Sequence, residues 1–392
     1  MSMDNEIRGE GLMGLAKLMK MAFDGIDLAP VGDALIQRAE ANPQDAEAFM
    51  DLSILLQLRN SKEVALGVQK QALSNEILYH LPSTMNPAVR LLAIMAPGDL
   101  MTNTPLEFLV EGSDISLYML YVGEGLPPVP PLPEHDLLFV AIGESTGTRP
   151  VLQELGSALK SWPCPVLNRP ANILKTSRES APFFLAKVPG LAIPGAIRVK
   201  REALQRIRDV PFIVRPIDSH AGHGLAKIDS IEQIAGYLEE MPQPEFYVSP
   251  FIDYRSQDGL YRKYRVVLIG GKPFAAHMGI SDHWMIHYAN AGMNASMQKR
   301  EEEERFMKDF DEDFAKRHAE AFKGMHEALG LDYLVIDCAE TRDGKLLVFE
   351  IDTGAVVHAM DPADIFPYKV PQMQKVFSAF RDMLLGARRE GA

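Results

Sequence analysis

The hydrophobic residues in the first part of the chain follow a helical period. Leu12, Leu15 and Leu18 are three residues apart, and residues 41–73 contain two further stretches with similar spacing. Apolar positions that recur every three or four residues are typical of amphipathic helices. We therefore predict an all-α domain over residues 1–85.

The pattern changes after residue 85 to short, continuous apolar runs. These runs occupy residues 89–96, 115–122 and 137–143. Uninterrupted runs of this length are typical of strands buried on both faces of a parallel sheet, and helical stretches lie between them. The pattern predicts an α/β domain over residues 86–170. No GxGxxG motif follows the first run, so no dinucleotide site is predicted.

The rest of the chain predicts two lobes that contain both strands and helices. In residues 171–255, PFIVRP and EFYVSPFID have the composition of strands. In residues 256–392, one strand pair turns at a Gly-Gly dipeptide, a long helix is predicted over 298–329, and a second strand pair covers 332–353. The expected fold class is therefore mixed α/β.

The second strand pair carries three acidic residues on one face. Asp343-Gly344 between apolar runs is a strong signal for a two-residue hairpin loop. With that loop, Asp337 and Glu350 lie directly opposite each other, and the two-residue period of a strand puts Asp352 on the same face. Like charges opposed across strands are destabilising. A solvated face is the ordinary interpretation, but the apolar surroundings favour a bound cation, and oxygen-only ligands favour Mg²⁺ or Mn²⁺.

A second chemical signal lies at the end of PFIVRP. Arg215 ends this strand, and the loop that follows contains Gly222 and Gly224. Glycines allow backbone amides to approach a phosphate closely, and arginine pairs with phosphate oxygens. We interpret His220 and His223 of the same loop as loop-tip or phosphate-facing residues. Loops with two glycines are common, so this motif alone does not define a phosphate site.

Two segments of the last lobe hold further candidate residues. Arg265 belongs to the basic cluster YRKYR, and such a cluster is ordinarily a solvated strand end. DHWMIHYANAGM has no clear periodicity, which is typical of a loop that carries function. Its His283 and His287, and His277 before it, are candidate substrate contacts, although a buried histidine more often bonds only a backbone carbonyl.

Composition limits the class of protein. A chain of 392 residues with 47% hydrophobic and 24% charged residues is ordinary for two or three globular domains. The formal net charge of -13 argues against a nucleic-acid-binding surface. The two cysteines have no ligand or redox spacing, and no apolar run is long enough to span a membrane. The charged N-terminus does not fit a signal peptide. We expect a cytoplasmic enzyme with no nucleic-acid or membrane partner.

The order of these parts resembles the ATP-grasp superfamily, which includes D-alanine–D-alanine ligase, glutathione synthetase and the ribosomal-protein glutamate ligases. The resemblance covers residues 86–385, and residues 41–73 resemble a tetratricopeptide unit. The spacing of Asp337, Glu350 and Asp352 is similar to the family's Asp…Glu-x-Asn magnesium motif. The resemblance implies an ATP-grasp fold, with an α/β domain before it and an all-α N-terminal extension.

The resemblance also implies roles for individual residues. Asp337, Glu350 and Asp352 would bind Mg²⁺ or Mn²⁺, whereas Arg215 and Arg265 would be catalytic and hold the transferred phosphate. The residues expected to bind ATP are Arg178, Arg215, Ser219, His220, Gly222, His223, Gly224, Ser249, Phe251 and Ile252.

Three features depart from the family pattern. Arg178 and Arg215 stand where lysine is usual, which keeps the charge but changes the geometry of the donors. Asp352 stands where asparagine is usual, and Pro250 removes a backbone donor from the expected adenine-binding hinge.

The function implied by the resemblance is an ATP-dependent carboxylate–amine ligase. Such an enzyme forms an amide through an acyl phosphate and releases ADP and phosphate. Its substrates would be a carboxylate and an amine, each a small molecule or a peptide. The N-terminal helices would bind a protein partner or self-associate, and the alternative is a helical cap that only packs on the next domain. The alternatives are an ATP-grasp phosphotransferase or thioester-forming ligase, and a nucleotide-binding scaffold with degenerate catalysis.

Overall fold

The computed structural model describes residues 11–83, 85–219 and 222–391. Residues 1–10 of the predicted helical domain and His220 of the predicted phosphate loop lie outside the described residues. The chain forms three sheets with helices packed around them, which confirms the predicted mixed α/β class. None of the described helices is long and apolar enough to cross a membrane.

Helices alone form the N-terminal part of the described chain. They are α1 (Gly14–Phe23), α2 (Ala29–Ala41), α3 (Ala46–Leu58) and α4 (Lys62–Asn75). The Asp45 side chain caps α3 by accepting a hydrogen bond from Ala48 N at 2.9 Å, and Arg38 pairs with the same carboxylate at 3.0 Å. The tetratricopeptide-like segment forms α3 and α4, which pack on each other as one helical hairpin. Its relation to tetratricopeptide repeats stays a prediction.

Two carboxylates fix α1 to the rest of the protein. Asp51 of α3 accepts hydrogen bonds from Met13 N and Gly14 N at 2.8 and 2.9 Å. Glu107, from the next domain, accepts one from Ala16 N at 3.0 Å. Negative groups are favourable at the positive N-terminal end of a helix. Burial nevertheless raises the pKa of both carboxyls to about 7. A continuous hydrophobic core joins these helices to the first and third sheets.

The first sheet has the strand order β1-β3-β2-β4-β5. Its elements, in chain order, are β1 (Leu78–Leu81), β2 (Val89–Met95), α5 (Leu106–Val110), β3 (Ile115–Tyr121), β4 (Leu137–Val140), α6 (Arg149–Ala158) and β5 (Val166–Leu167). Strands β2 to β5 are parallel, and β2, β3 and β4 confirm the predicted buried strands. β1 is antiparallel to β3. Because β1 lies before residue 86, the predicted domain division separates this strand from its own sheet.

The second sheet is antiparallel, with the order β7-β10-β8-β9. The chain reaches it through α7 (Pro170–Ile173), α8 (Ala181–Leu185) and β6 (Leu191–Ala192). The elements of this lobe are β7 (Ile197–Lys200), α9 (Arg201–Leu204), β8 (Phe212–Pro216), β9 (Ala226–Ile228), α10 (Gln233–Glu240) and β10 (Glu245–Pro250). Apolar residues of α10 and of the strands form a small core that is separate from the main one.

The third sheet has the order β12-β11-β13-β14-β6. Its other strands are β11 (Tyr261–Ile269), β12 (Lys272–Ser281), β13 (Tyr333–Glu340) and β14 (Leu346–Asp352). β6 is parallel to β14 although it precedes the second sheet in the chain. The predicted lobe of residues 171–255 therefore contributes one strand to the last lobe.

The prediction of one long helix over residues 298–329 is wrong. The structure contains α11 (Met297–Lys308), α12 (Phe314–Arg317) and α13 (Ala319–Leu329), and the chain ends in α14 (Lys369–Gly391). Asp309, Asp311 and Asp313 follow the end of α11. Aspartate side chains compete for backbone hydrogen bonds and are unfavourable inside helices, which accounts for the break.

Asn168 joins the first sheet to the third. It directly follows β5, is fully buried, and has a φ of 49°. Its Nδ2 donates to Tyr333 O at 2.8 Å, and its Oδ1 accepts from Asp332 N and Tyr333 N, both at 2.9 Å. One side chain therefore satisfies three backbone groups at the start of β13.

We predict that Asn168→Ala destabilises the protein by about 3 kcal/mol, because buried backbone groups lose their partner and alanine is strained at a positive φ. Urea unfolding followed by tryptophan fluorescence measures the change. Asn75→Ala is the control, since Asn75 makes an exposed hydrogen bond to Pro43 O, and its effect should be below about 1 kcal/mol. Equal effects of the two substitutions would contradict the bridging role.

Candidate active site

A cavity of about 430 Å³ lies between the second and third sheets. It is also lined by the loops after β2 and β4 and by the segment around α8. The predicted site residues that line it are Arg178, Arg215, Ser219, Gly222, Ser249, Phe251, Ile252, Arg265, Asp337, Glu350 and Asp352. The structure thus brings most of the predicted residues together from separate parts of the chain.

Two residues predicted to bind ATP, His223 and Gly224, do not line the cavity. His223 is exposed. Gly224 has a φ of 63°, and a Cβ at this position would lie 2.7 Å from Pro216 Cδ. Its carbonyl accepts a hydrogen bond from Tyr237 OH at 2.7 Å. Gly224 therefore packs the loop against the second sheet.

The β13–β14 hairpin places the three predicted metal ligands on one face. Asp337 is directly opposite Glu350, as predicted, and Asp352 lies two residues further along β14. All three residues line the cavity.

The prediction of a two-residue loop in this hairpin is wrong. Thr341 N donates to Lys345 O at 2.9 Å, so the loop spans residues 342–344. A loop of this length alone would shift the pairing by one residue, but a bulge between Asp337 and Cys338 shifts it back. The predicted pairing is correct because of this bulge, which the turn residues do not indicate.

Asp337 is buried beside two cations from β11. Arg265, directly opposite it, donates through Nε to Oδ1 at 2.8 Å, and Lys263 Nζ lies 2.7 Å from Oδ2. Burial opposes the negative charge, but the two cations outweigh burial and hold the pKa of Asp337 well below its usual range. The interpretation of this basic cluster as a solvated strand end does not hold for Lys263. Its two-residue spacing from Arg265 puts both side chains on the cavity face.

Glu350 and Asp352 differ in their electrostatic surroundings. Arg178 forms an ion pair with Glu350. Burial tends to raise the pKa of Glu350, but Arg178 and Arg215 lower it below the usual value. Asp352 accepts a hydrogen bond from Gly354 N at 2.7 Å. Burial and the neighbouring Glu350 raise the pKa of Asp352 to about 7. The positive charge around Asp352 is therefore too small to compensate its burial.

The carboxylate donor set fits a divalent cation in its chemistry, because hard oxygen ligands bind Mg²⁺ and Mn²⁺. The poorly compensated charge of Asp352 is consistent with such an ion. Within the described residues, no group of three or more His, Cys, Asp or Glu side chains is arranged to hold a metal ion. Asp337 and Glu350 are turned toward lysine and arginine side chains instead.

Arg215 lies at the end of β8, where the predicted phosphate loop begins. Its Nε donates to Ser219 Oγ at 3.0 Å, and its guanidinium also donates to Ser219 O. Burial and the nearby Arg178 lower the pKa of Arg215 to about 10, which leaves the side chain charged at neutral pH. We use the name cation cluster for Arg178, Arg215, Lys263 and Arg265, all of which interact electrostatically with Glu350.

Apolar and aromatic side chains line another part of the cavity. Ser249 and Pro250 end β10, and Phe251 and Ile252 follow them. The Phe251 ring packs edge-on against Trp284, with ring centroids 5.9 Å apart. An apolar slot beside aromatic rings suits a planar ring of a ligand.

The predicted active-site loop enters the cavity through Trp284 and His287. Of the three candidate histidines, His287 alone lines the cavity. His283 is 83% exposed. His277 packs on the Tyr288 ring with centroids 4.5 Å apart, and burial holds its pKa well below the usual value.

No protein-family model and no curated protein matches the sequence. Similar solved structures include VanG D-Ala:D-Ser ligase from Enterococcus faecalis, which is 13% identical with a TM-score of 0.47 over 78% of this chain and 100% of that chain. D-alanine–D-alanine ligase from Bacillus anthracis complexed with ATP gives the same values. A RimK domain ATP-grasp protein from Sphaerobacter thermophilus is 16% identical, with a TM-score of 0.42 over 76% of this chain and 100% of that chain. These TM-scores are below 0.5, so no activity, ligand or residue role is transferred from these proteins to this chain.

We predict that the cation cluster binds inorganic tripolyphosphate and that Arg215→Met weakens this binding about 10-fold or more, because a charge-assisted contact is lost. Isothermal titration calorimetry at low salt measures the affinity. Arg198→Met is the control, since Arg198 lies on β7 of the same sheet and pairs with Glu245. Equal affinity of wild type and Arg215→Met would contradict a polyphosphate site at this position.

Proposed function

We propose that the cavity binds ATP and that the protein is an ATP-dependent carboxylate–amine ligase. The observation that carries this proposal is that the cavity lining combines two chemical parts, which lie toward opposite ends of the β8–β10 pairing, with Arg215 opposite Tyr247 and Phe212 opposite Pro250. One part holds the cation cluster with three carboxylates, and the other holds apolar and aromatic side chains. A nucleoside triphosphate has the same division between a planar base and a polyanionic chain.

In this proposal the adenine ring occupies the slot beside Phe251, Ile252 and Trp284, where contact with aromatic rings is favourable. Pro250 has no backbone N–H, so recognition of the base edge would use other backbone groups of the segment. The triphosphate then extends toward Arg215 and Gly222.

Transfer of the terminal phosphoryl group requires positive charge around its oxygens. Arg215 and Lys263 would supply this charge together with Arg265. Arg265 is held in place by Asp337 and by its donation from Nη1 to Val356 O at 3.2 Å. A fixed cation needs little reorganisation when the reaction occurs.

The proposed reaction has two steps. An oxygen of the substrate carboxylate attacks the γ-phosphorus, the bond from that phosphorus to the β–γ bridging oxygen breaks, and ADP leaves. The amine then attacks the acyl carbon of the resulting acyl phosphate, inorganic phosphate leaves, and the amine nitrogen loses a proton as the amide forms.

Asp337, Glu350 and Asp352 would hold Mg²⁺ or Mn²⁺. When bound, the ion neutralises phosphate charge. Without the ion, the cation cluster lowers the pKa of Asp337 and of Glu350 despite their burial and so keeps both carboxylates ionised at neutral pH; binding of the ion would require these ion pairs to open.

The substrates in this proposal are a carboxylate and an amine, each a small molecule or a peptide. They would enter beside Met101 and Glu144, which lie in loops at the carboxyl ends of β2 and β4 and line the cavity. Ligands commonly bind at this edge of a parallel sheet.

The N-terminal helices would bind a protein partner or self-associate, a role that rests on their sequence resemblance. They also contact the last lobe, because the ring of Phe23 packs edge-on against His358 with centroids 5.2 Å apart.

A nucleotide-binding scaffold without catalysis is the second candidate. Its support is that Lys263, Arg265 and Arg178 already pair with two of the carboxylates. In such a protein these cations would take the place of the metal.

We expect the protein to release ADP and form a hydroxamate when it is given ATP, Mg²⁺, a panel of carboxylates, and hydroxylamine in place of the amine. Hydroxylamine intercepts an activated acyl group and does not react with an ordinary phosphate ester. Asp337→Asn should lower the rate of formation of both products roughly 100-fold or more. It removes the negative charge that holds Arg265 and Lys263 in place, and these cations would stabilise the transferred phosphoryl group.

Asp343→Asn is the matched control on the same hairpin, since Asp343 lies in the exposed loop and pairs with Lys345 at 3.0 Å. AMP as the nucleotide product would contradict the proposed mechanism. ADP with a stable phosphoester would favour a phosphotransferase, and ATP binding without turnover would favour the scaffold.

A further inference from the structure

His287 lines the cavity, and none of the proposed steps uses it. We propose that His287 Nε2–H donates a hydrogen bond to an oxygen of the terminal phosphate of ATP. This assignment rests on the proposed function, because it requires ATP in the cavity. It makes His287 a residue that distinguishes ATP from ADP.

The local backbone favours the tautomer of the ring that carries its proton on Nε2. His287 precedes a short 3₁₀ helix, Tyr288–Asn290, and its backbone N–H donates to Asn290 Oδ1 at 3.0 Å. The backbone N–H of Asn290 donates to His287 O at 3.0 Å and is shared with the His287 ring. Because Nε2 has no hydrogen-bond partner among the described residues, the acceptor is Nδ1. A neutral ring that accepts at Nδ1 carries its proton at Nε2.

The charges around His287 favour this neutral ring. Burial and Lys263 lower the pKa of His287, Arg215 and Arg265 act in the same direction, and Asp337 opposes them. These groups come from β8, β11 and β13. The Nε2–H group is therefore a neutral donor surrounded mainly by cations.

Buried donors in proteins nearly always have a partner, because leaving one unsatisfied is unfavourable. His287 Nε2 is buried and has no partner in the part of the chain that the structure describes. A ligand that satisfies this donor has to supply an acceptor, and the neighbouring cations favour an anionic one.

The position of Gly222 indicates where this acceptor lies. Gly222 has a φ of 72°, and a Cβ at this position would collide with His287 Nε2. The backbone at Gly222 therefore runs directly beside the donor. In this proposal an anion on Nε2 would lie between Gly222 and the cation cluster, where the proposed ATP complex has its terminal phosphate.

Two substitutions separate the donor from the local fold. Asparagine at 287 keeps an acceptor near the position of Nδ1 but has no group that reaches the position of Nε2. Glutamine at 287 places an amide donor near Nε2. Calorimetric titration with Mg-ATP and with Mg-ADP measures the affinity of each nucleotide for wild type, His287→Asn and His287→Gln. His283→Asn is the control on the same loop, because His283 is 83% exposed.

We expect His287→Asn to weaken ATP binding roughly 10- to 100-fold, as for loss of a hydrogen bond to a charged group. ADP binding should change less than about twofold, because ADP lacks the terminal phosphate. His287→Gln should recover most of the ATP affinity, and His283→Asn should match wild type. A merely structural role would weaken both nucleotides alike.

Equal losses for ATP and ADP, or no recovery in His287→Gln, would overturn the role of His287 and leave the proposed function in place. Failure of wild type to bind ATP would overturn the proposed function and the role of His287 with it.

Discussion

The charge compensation of Asp337 is the interaction on which the site depends. This carboxylate is 7% exposed, and Arg265 and Lys263 keep it ionised. Without these partners, burial would favour the neutral, protonated form of Asp337. Without Asp337, the positive charges of Arg265 and Lys263 would be left uncompensated, which is unfavourable. The pairing is possible because β11 lies beside β13 with Arg265 opposite Asp337. The protein thus holds charged groups at the cavity wall before a ligand arrives.

The parts of the fold that could be predicted are those whose structure follows from the residue types of a single short segment. Val89–Met95 and Ile115–Tyr121 are continuous apolar runs, and their burial follows from composition alone. β6 could not be predicted, because a two-residue strand has no periodicity and its partner lies far along the chain. The break after α11 could not be predicted from the hydrophobic pattern, because Phe310 and Phe314 continue the helical spacing of apolar residues across it. Their ring centroids lie 5.7 Å apart.

The candidate site could be predicted where residue type and spacing agree. Asp337 and Glu350 were paired correctly from the turn, although a bulge is what produces that pairing. Lys263 was not identified, because spacing alone does not distinguish a cavity wall from a solvated strand end. The contact between Gly222 and His287 joins two lobes, so no local pattern contains it.

A crystal structure with Mn²⁺ and a non-hydrolysable ATP analogue would show whether the three carboxylates hold a metal beside ATP, because anomalous scattering locates the ion independently of the side chains. We expect the Mn²⁺ peak roughly 2.0–2.3 Å from oxygens of Asp337, Glu350 and Asp352, with the base in the slot beside Phe251 and Trp284. Nucleotide bound outside this cavity, or bound inside it with no Mn²⁺ peak at these carboxylates, would contradict the account.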